Sequence, residues 1–137
     1  MEQILLVEDN ATLREALSET LALMGYNVVD AGSGAEALVL AATMSEPIDL
    51  VISDLVMPGM NAMELYESLK VRAYTGKMLI ITGYPMPYAG QSLVSVPGVA
   101  WAHKPISVEE LRLLLAQMTE TNPGADGDGP RMTPAGR

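Results

Sequence analysis

The chain has 137 residues, a length that suits one domain rather than two, and 49% of them are apolar. Eight basic and 17 acidic residues give a formal net charge of −9, which argues against a general nucleic-acid binder and against binding to an anionic membrane surface. There is no cysteine, so disulfides, thiolate metal sites and thiol nucleophiles are excluded. No apolar stretch is long enough to span a bilayer, and no basic leader precedes the first apolar run, so we expect a soluble cytoplasmic domain.

Short apolar runs alternate with segments of helical periodicity along most of the chain. Strands are predicted at 3–7, 27–31, 50–52, 77–82 and 99–103, and helices at 11–24, 34–45, 62–72 and from about 108 to 119. The proline-rich stretch from Tyr84 to Gly98 has room for two helical turns only, so a fourth helix there is expected to be short or irregular. Residues 120–137 are rich in glycine and proline and read as a disordered tail or linker stub after a domain at 1–119.

The helix starts and the turns carry their own signals. Asn10 can cap the first helix, and three later helices begin with the spacing of a capping box, at Ser33–Glu36, Asn61–Glu64 and Ser107–Glu110. Gly25 stands where a helix should end, and Met57-Pro58-Gly59 forms a turn signal. Five alternations of strand and helix predict a parallel sheet with helices on both faces.

Five polar residues stand at the carboxyl ends of predicted strands. They are Glu8 and Asp9 at the first strand, Asp54 at the third, Thr82 at the fourth and Lys104 at the fifth. In a parallel sheet these positions lie at one edge, where ligands bind. Three carboxylates at one site repel one another unless a cation joins them, and an all-oxygen ligand set favours Mg²⁺. A carboxylate can act as a nucleophile toward phosphorus, and a lysine and a threonine can hold phosphoryl oxygens, so the pattern predicts an aspartate that accepts a phosphoryl group with the help of Mg²⁺.

The motifs Glu8-Asp9, Asp54, Met57-Pro58-Gly59, Thr82-Gly83 and Lys104-Pro105 resemble the signature of the response regulator receiver domain of two-component signalling, over residues 3 to about 119. The resemblance implies a flavodoxin-like, doubly wound sheet of order 2-1-3-4-5 with five helices. It implies phosphotransfer to Asp54 from a phosphohistidine on a sensor histidine kinase or a histidine phosphotransfer protein, without direct binding to nucleic acid or membrane.

By the same resemblance, Glu8, Asp9, Asp54 and the backbone carbonyl of Val56 would hold Mg²⁺, and Thr82 and Lys104 would hold the phosphoryl oxygens. The Lys104-Pro105 bond would be cis. Trp101 stands where the family usually has a Tyr or Phe that swings inward on activation, although simple core packing explains a tryptophan there equally well.

Some positions depart from the commonest family pattern. Val56 is apolar where many relatives are polar, and Tyr84 is bulky, so neither can orient an attacking water and we expect slow loss of the phosphoryl group. Trp101 is larger than the usual aromatic residue, which predicts a muted or altered switch. The run Thr82-Gly83-Tyr84 followed by prolines resembles receivers fused to hybrid histidine kinases.

Three functions compete. The first is a phosphoacceptor signalling module, either free-standing or the internal relay or phosphate sink of a hybrid kinase, which assists only its own phosphorylation and dephosphorylation. The second is a Mg²⁺-dependent aspartyl phosphatase, which usually has a second aspartate two positions after the nucleophile, where this chain has Val56. The third is a receiver-like domain that binds a partner without phosphate, although it would normally lack the acids or the lysine. The residues leave open whether the chain forms a homodimer.

Overall fold

The computed structural model of the protein describes residues 2–83 and 98–119. The chain forms two compact units, Met1–Ile106 and Ser107–Arg137. The first unit contains β1 (Gln3–Val7), α1 (Ala11–Leu23), β2 (Asn27–Ala31), α2 (Gly34–Thr43), β3 (Leu50–Ser53), α3 (Ala62–Val71), β4 (Lys77–Thr82) and β5 (Val99–His103). The second unit contains α4 (Val108–Thr119). None of the four described helices has the length and apolar character that a bilayer-spanning segment requires.

All five strands are parallel and lie in the order β2-β1-β3-β4-β5, which confirms the predicted topology. The register aligns the carboxyl ends of the three central strands closely, because Val7 is paired with Ser53 and Ser53 with Ile80. The chain enters the sheet at β1 and later adds strands on both sides of it, so strand order reverses next to β1. The loops after β1 and β3 therefore flank the place where doubly wound sheets bind ligands.

The two faces of the sheet are covered by different helices of the first unit. One face packs on α2 and α3 through a core that includes Leu5, Val51, Met78, Ile80, Ala37, Leu65 and Leu69, all buried. On the other face, Leu6 and Ile52 lie beside Leu13 and Leu17 of α1. Each fully buried leucine or isoleucine contributes about 1.5–3 kcal/mol through removal of apolar surface from water, so the strands are held mainly by side-chain burial.

The predicted helix caps form, with one change of partner. The Asn10 side chain accepts from the Leu13 amide at 2.9 Å, and Asn61 and Glu64 make a complete capping box. Ser33 accepts from the Glu36 amide, but the Glu36 carboxylate accepts from the Gly32 amide at 2.7 Å rather than from Ser33. In the capping box at the start of α2, the second hydrogen bond is therefore made by the amide of the residue before Ser33.

The turn glycines also match their predicted places, since Gly25 and Gly59 have φ of 101° and 83°. The expected fourth helix of the family lies within 84–97, outside the described residues, and so does the predicted tail at 120–137.

Candidate functional site

The residues that follow β1 and β3 come together at the carboxyl edge of the sheet. Glu8, Asp9 and Asp54 each offer a carboxylate oxygen, and these oxygens all lie within 4.8 Å of one another. Glu8 is buried, Asp54 is partly buried and Asp9 is exposed. Register brings them together, because Val7 and Ser53 are paired and the acids follow at once. Acids that are distant in sequence therefore share one small region at this edge.

Lys104, which directly follows the edge strand β5, also reaches this cluster. Its ammonium nitrogen lies 2.8 Å from Oδ2 of Asp54 and 3.4 Å from Oε1 of Glu8. The Lys104 amide donates to the carbonyl of Thr82 at 2.9 Å, which fixes the lysine beside the end of β4, and the Lys104–Pro105 bond is cis, as the resemblance implied. One ammonium thus lies between two of the three carboxylates.

The protonation of the site reflects burial as well as charge. Burial raises the pKa of Glu8, and the Asp54 charge adds to this, while the Asn10 amide and Lys104 oppose it. Burial alone would lower the pKa of Lys104, but its hydrogen bond and charge interaction with Asp54, with a further contribution from Glu8, raise it. Lys104 is accordingly a permanent cation at neutral pH.

The other candidate residues differ in burial. Thr82 is fully buried at the end of β4, and Val56 is 49% exposed in the loop after β3. Trp101 on β5 is partly buried against the core, and its buried indole N–H has no hydrogen-bond partner among the described residues. Tyr84 lies outside those residues. His103, the single histidine, is an exposed residue at the end of β5.

One residue of the site was not expected from the sequence. Nη1 of Arg14 donates to the backbone carbonyl of Glu8 at 2.8 Å. The sequence feature that could have indicated this contact is the position of Arg14, which is the first basic residue of the chain and lies one helical turn after Asn10, close to Glu8 and Asp9.

The donor set of this edge suits a hard divalent cation. The three candidate side-chain ligands are carboxylates, and the Lys104 ammonium leaves the cluster with an excess of negative charge when the acids are ionised. Mg²⁺ binds carboxylate oxygens and usually retains several waters, so a site that is partly exposed at Asp9 and closed at Glu8 fits it.

A family model described as the response regulator receiver domain matches residues 4–116. The chain belongs to this family, whose members are the receiver domains of two-component signalling systems. The fold and the family agree, and the family model spans residues 4–116, so the match does not rest on the acidic motif alone.

Several individual proteins are similar to this chain. Sporulation initiation phosphotransferase F of Bacillus subtilis is 31% identical over 111 residues, which cover 81% of this chain and 88% of that protein. Sensor kinase CckA of Brucella abortus is 31% identical over 117 residues, covering 85% of this chain but 12% of the kinase. The solved structure of chemotaxis protein CheY4 of Vibrio cholerae has 30% identity and a TM-score of 0.78, covering 86% of this chain and 98% of CheY4.

The chain spans between 12% and 29% of the length of the first curated relatives it matches. Similarity to those proteins therefore concerns their receiver portions.

Proposed function

We propose that Asp54 is the phosphoacceptor of this receiver domain. The observation that carries the proposal is the convergence of three carboxylates within 4.8 Å of one another, with an ammonium group 2.8 Å from Asp54. One Asp54 carboxylate oxygen would attack phosphorus of a phosphohistidine, forming the P–O bond as the P–N bond breaks. The bonding electron pair leaves with the imidazole nitrogen, and Asp54 becomes an acyl phosphate.

Each neighbouring group has a separate part in this transfer. Lys104, cationic at neutral pH, would exchange its contact with Asp54 for one with a phosphoryl oxygen and so offset the charge that develops there. The Thr82 hydroxyl, at the adjoining strand end, would donate to a second phosphoryl oxygen. Glu8, Asp9, Asp54 and the carbonyl of Val56 would hold Mg²⁺, which when bound neutralises part of the phosphoryl charge.

We further propose that the phosphoryl donor is a sensor histidine kinase or a histidine phosphotransfer protein in the cytoplasm. The chain matches sporulation initiation phosphotransferase F over 88% of that protein and sensor kinase CckA over 12% of that kinase. These matches support two protein contexts for the domain equally well. In the first the domain stands alone as a relay, and in the second it is an internal relay or phosphate sink of a hybrid kinase. The net charge of −9 supports a protein partner over nucleic acid.

A phosphatase with many turnovers is disfavoured by Val56. The residue two positions after Asp54 is half exposed and offers no side-chain acid or base to activate water. For the same reason we expect the acyl phosphate to be lost slowly.

The test is incubation with acetyl phosphate and Mg²⁺, followed by intact mass spectrometry and a phosphate-release assay. One phosphoryl adduct per chain, absent in Asp54→Asn and absent when the cation is chelated, supports the proposal. Free phosphate released in many turnovers would point to the phosphatase instead. No adduct and no release would leave a domain that binds partners without phosphate.

Trp101 provides a readout of any switch. The Trp101 indole N–H has no partner among the described residues, and a buried N–H in that state costs about 1–3 kcal/mol, so a movement that brings it to an acceptor is favourable. Because the ring is larger than that of Tyr or Phe, we propose that its displacement on phosphorylation is limited. A structure with a beryllofluoride adduct in which Trp101 is fully buried beneath Thr82 would refute this.

A further inference from the structure

The turn that contains Glu8 and Asp9 is held by contacts that the phosphotransfer chemistry does not use. The Glu8 amide donates to the carbonyl of Ala31 at 3.1 Å, and the Glu8 carbonyl accepts from Arg14 Nη1 at 2.8 Å. The Glu8 side chain accepts from the Asn10 amide at 3.1 Å. The short turn that carries both acids is thus anchored on β2, on α1 and within itself.

Asp9 depends on this anchoring more than Glu8 does. Glu8 is buried and contacts Lys104 and the Asn10 amide through its carboxylate. The Asp9 side chain is exposed and makes no hydrogen bond or ion pair with any residue in the described part of the chain. The position of its Cα–Cβ bond is therefore set by the backbone alone. Because a peptide unit is planar, fixing the Glu8 carbonyl also fixes the Asp9 N–H and both Cα atoms.

Among the described residues, the Arg14 guanidinium contacts the Glu8 carbonyl without a competing carboxylate, and it lies close to Gly32. No carboxylate among the described residues lies within ion-pairing distance of its guanidinium, so its contact with the Glu8 carbonyl is not shared with an acid. A Cβ atom placed on Gly32 would lie 3.0 Å from Nη1 and 3.6 Å from Cζ of Arg14. Gly32 itself is fixed by its amide donating to Glu36. The guanidinium therefore occupies space that only a glycine leaves open.

We propose that Arg14 is a positioning residue for divalent-cation binding, acting through the Glu8 carbonyl on the directions of Glu8 and Asp9. This inference rests on the proposed function, since it assigns Arg14 a part in the same cation site. Groups that orient metal ligands from outside the ligand set typically change metal affinity by about 10- to 100-fold when removed. The Arg14→Met variant is accordingly expected to bind Mg²⁺ about tenfold more weakly than the wild type.

The experiment measures the Mg²⁺ dissociation constant by isothermal titration calorimetry on the full chain. Arg72→Met is the matched control, because it removes the same charge from an exposed site at the end of α3. Arg14→Lys should give an intermediate affinity, since lysine keeps the charge but lacks the planar fork that meets the carbonyl. If Arg14 acted only through its charge, Arg14→Lys would match the wild type, which would overturn the proposal.

A second variant tests the route of the effect. Gly32→Ala should displace the guanidinium and weaken Mg²⁺ binding while leaving residue 14 unchanged. The double variant Arg14→Met/Gly32→Ala should be no weaker than Arg14→Met alone, because both changes break one contact. Additive effects would contradict this. Urea unfolding of each variant shows whether the domain is folded under the titration conditions.

Phosphorylation by acetyl phosphate separates affinity from chemistry. With Arg14→Met, the rate should fall at low Mg²⁺ and recover to the wild-type value at saturating Mg²⁺. A rate that stays low at saturation would show that Arg14 acts on the transfer itself, against the proposal. Wild-type protein that binds no Mg²⁺ would overturn the proposed function together with this inference. Wild-type binding with an unchanged Arg14→Met affinity would overturn the inference alone.

Discussion

Replacing Lys104 with methionine is expected to tighten Mg²⁺ binding while destabilising the fold in the absence of a divalent cation. Lys104 is the one cation within ion-pairing distance of Asp54 and Glu8 in the described part of the chain, at 2.8 and 3.4 Å. A dication about 5 Å from an ammonium group is repelled by about 1.7 kcal/mol at the dielectric constant of water. Removing the ammonium should therefore lower the Mg²⁺ dissociation constant by roughly 10- to 20-fold.

The same change removes the favourable contacts of Lys104 in the cation-free protein. The side chains of Lys104 and Asp54 are 28% and 14% exposed, between the surface and the buried cases. A loss of about 1–2 kcal/mol in the free energy of unfolding is expected, because surface pairs contribute up to about 1 kcal/mol and breaking buried ones costs about 3–5. Much of this loss should return at millimolar Mg²⁺, which binds the folded state.

Calorimetric titration with MgCl₂ measures the first effect, and urea unfolding with and without chelator measures the second. Lys70→Met is the matched control, since it removes an equal charge from α3, where Lys70 lies over the Tyr66 ring. Mg²⁺ binding by Lys104→Met that is no tighter than that of Lys70→Met would refute the electrostatic reasoning.

Three further outcomes are expected from the structure. A Cβ on Gly76 would lie 2.6 Å from Cζ of Tyr74, whose hydroxyl donates to the Lys77 carbonyl, so Gly76→Ala should lower the free energy of unfolding by about 1–3 kcal/mol in urea titrations. Burial raises the pKa of Tyr74 above its usual value of about 10, so the neutral phenol stabilises the fold fully below that pH, and this stabilisation is lost as the pH rises further. Between pH 8 and 11, Tyr74→Phe should therefore lose less of its free energy of unfolding than the wild type does. An equal loss in the two proteins would contradict this. Val56→Asn should shorten the lifetime of the Asp54 acyl phosphate, followed by intact mass, because an amide can orient water where a half-exposed valine cannot.

Strand positions were predictable from the sequence because most strands are short runs of apolar residues bounded by polar or turn-forming residues. Four of the five strands have the predicted bounds, and the strand before Asp54 extends one residue further, to Ser53. The helix caps were predictable for a similar reason, since a cap is a local exchange of hydrogen bonds over three residues. At α2 this local rule was incomplete, because the Glu36 carboxylate reaches past Ser33 to Gly32.

The convergence of the candidate site was predictable from topology, whereas its internal contacts were not. Parallel strands place the residues beyond their carboxyl ends at one edge, so Asp9, Asp54 and Lys104 could be assigned to a common site without coordinates. Which carboxylate receives the ammonium depends on side-chain reach across β3 and β4. In the structure the Lys104 ammonium lies closer to the Asp54 carboxylate than to the Glu8 carboxylate. Arg14 was missed because its partner is a backbone carbonyl, which no side-chain pattern marks.

The arrangement explains why an acidic cluster is compatible with a stable fold. Val7 and Ile52 are buried apolar residues at the ends of β1 and β3, and the charged residues Glu8 and Asp54 follow them by one and two positions. Burial near that boundary raises the pKa of Glu8, so its ionised form is less stable there than it is in water. Anything positive that binds there, a dication or the Lys104 ammonium, relieves the same excess of negative charge. Lys104 and a bound cation therefore act on one electrostatic balance, and a phosphoryl group on Asp54 would change that balance by attracting both.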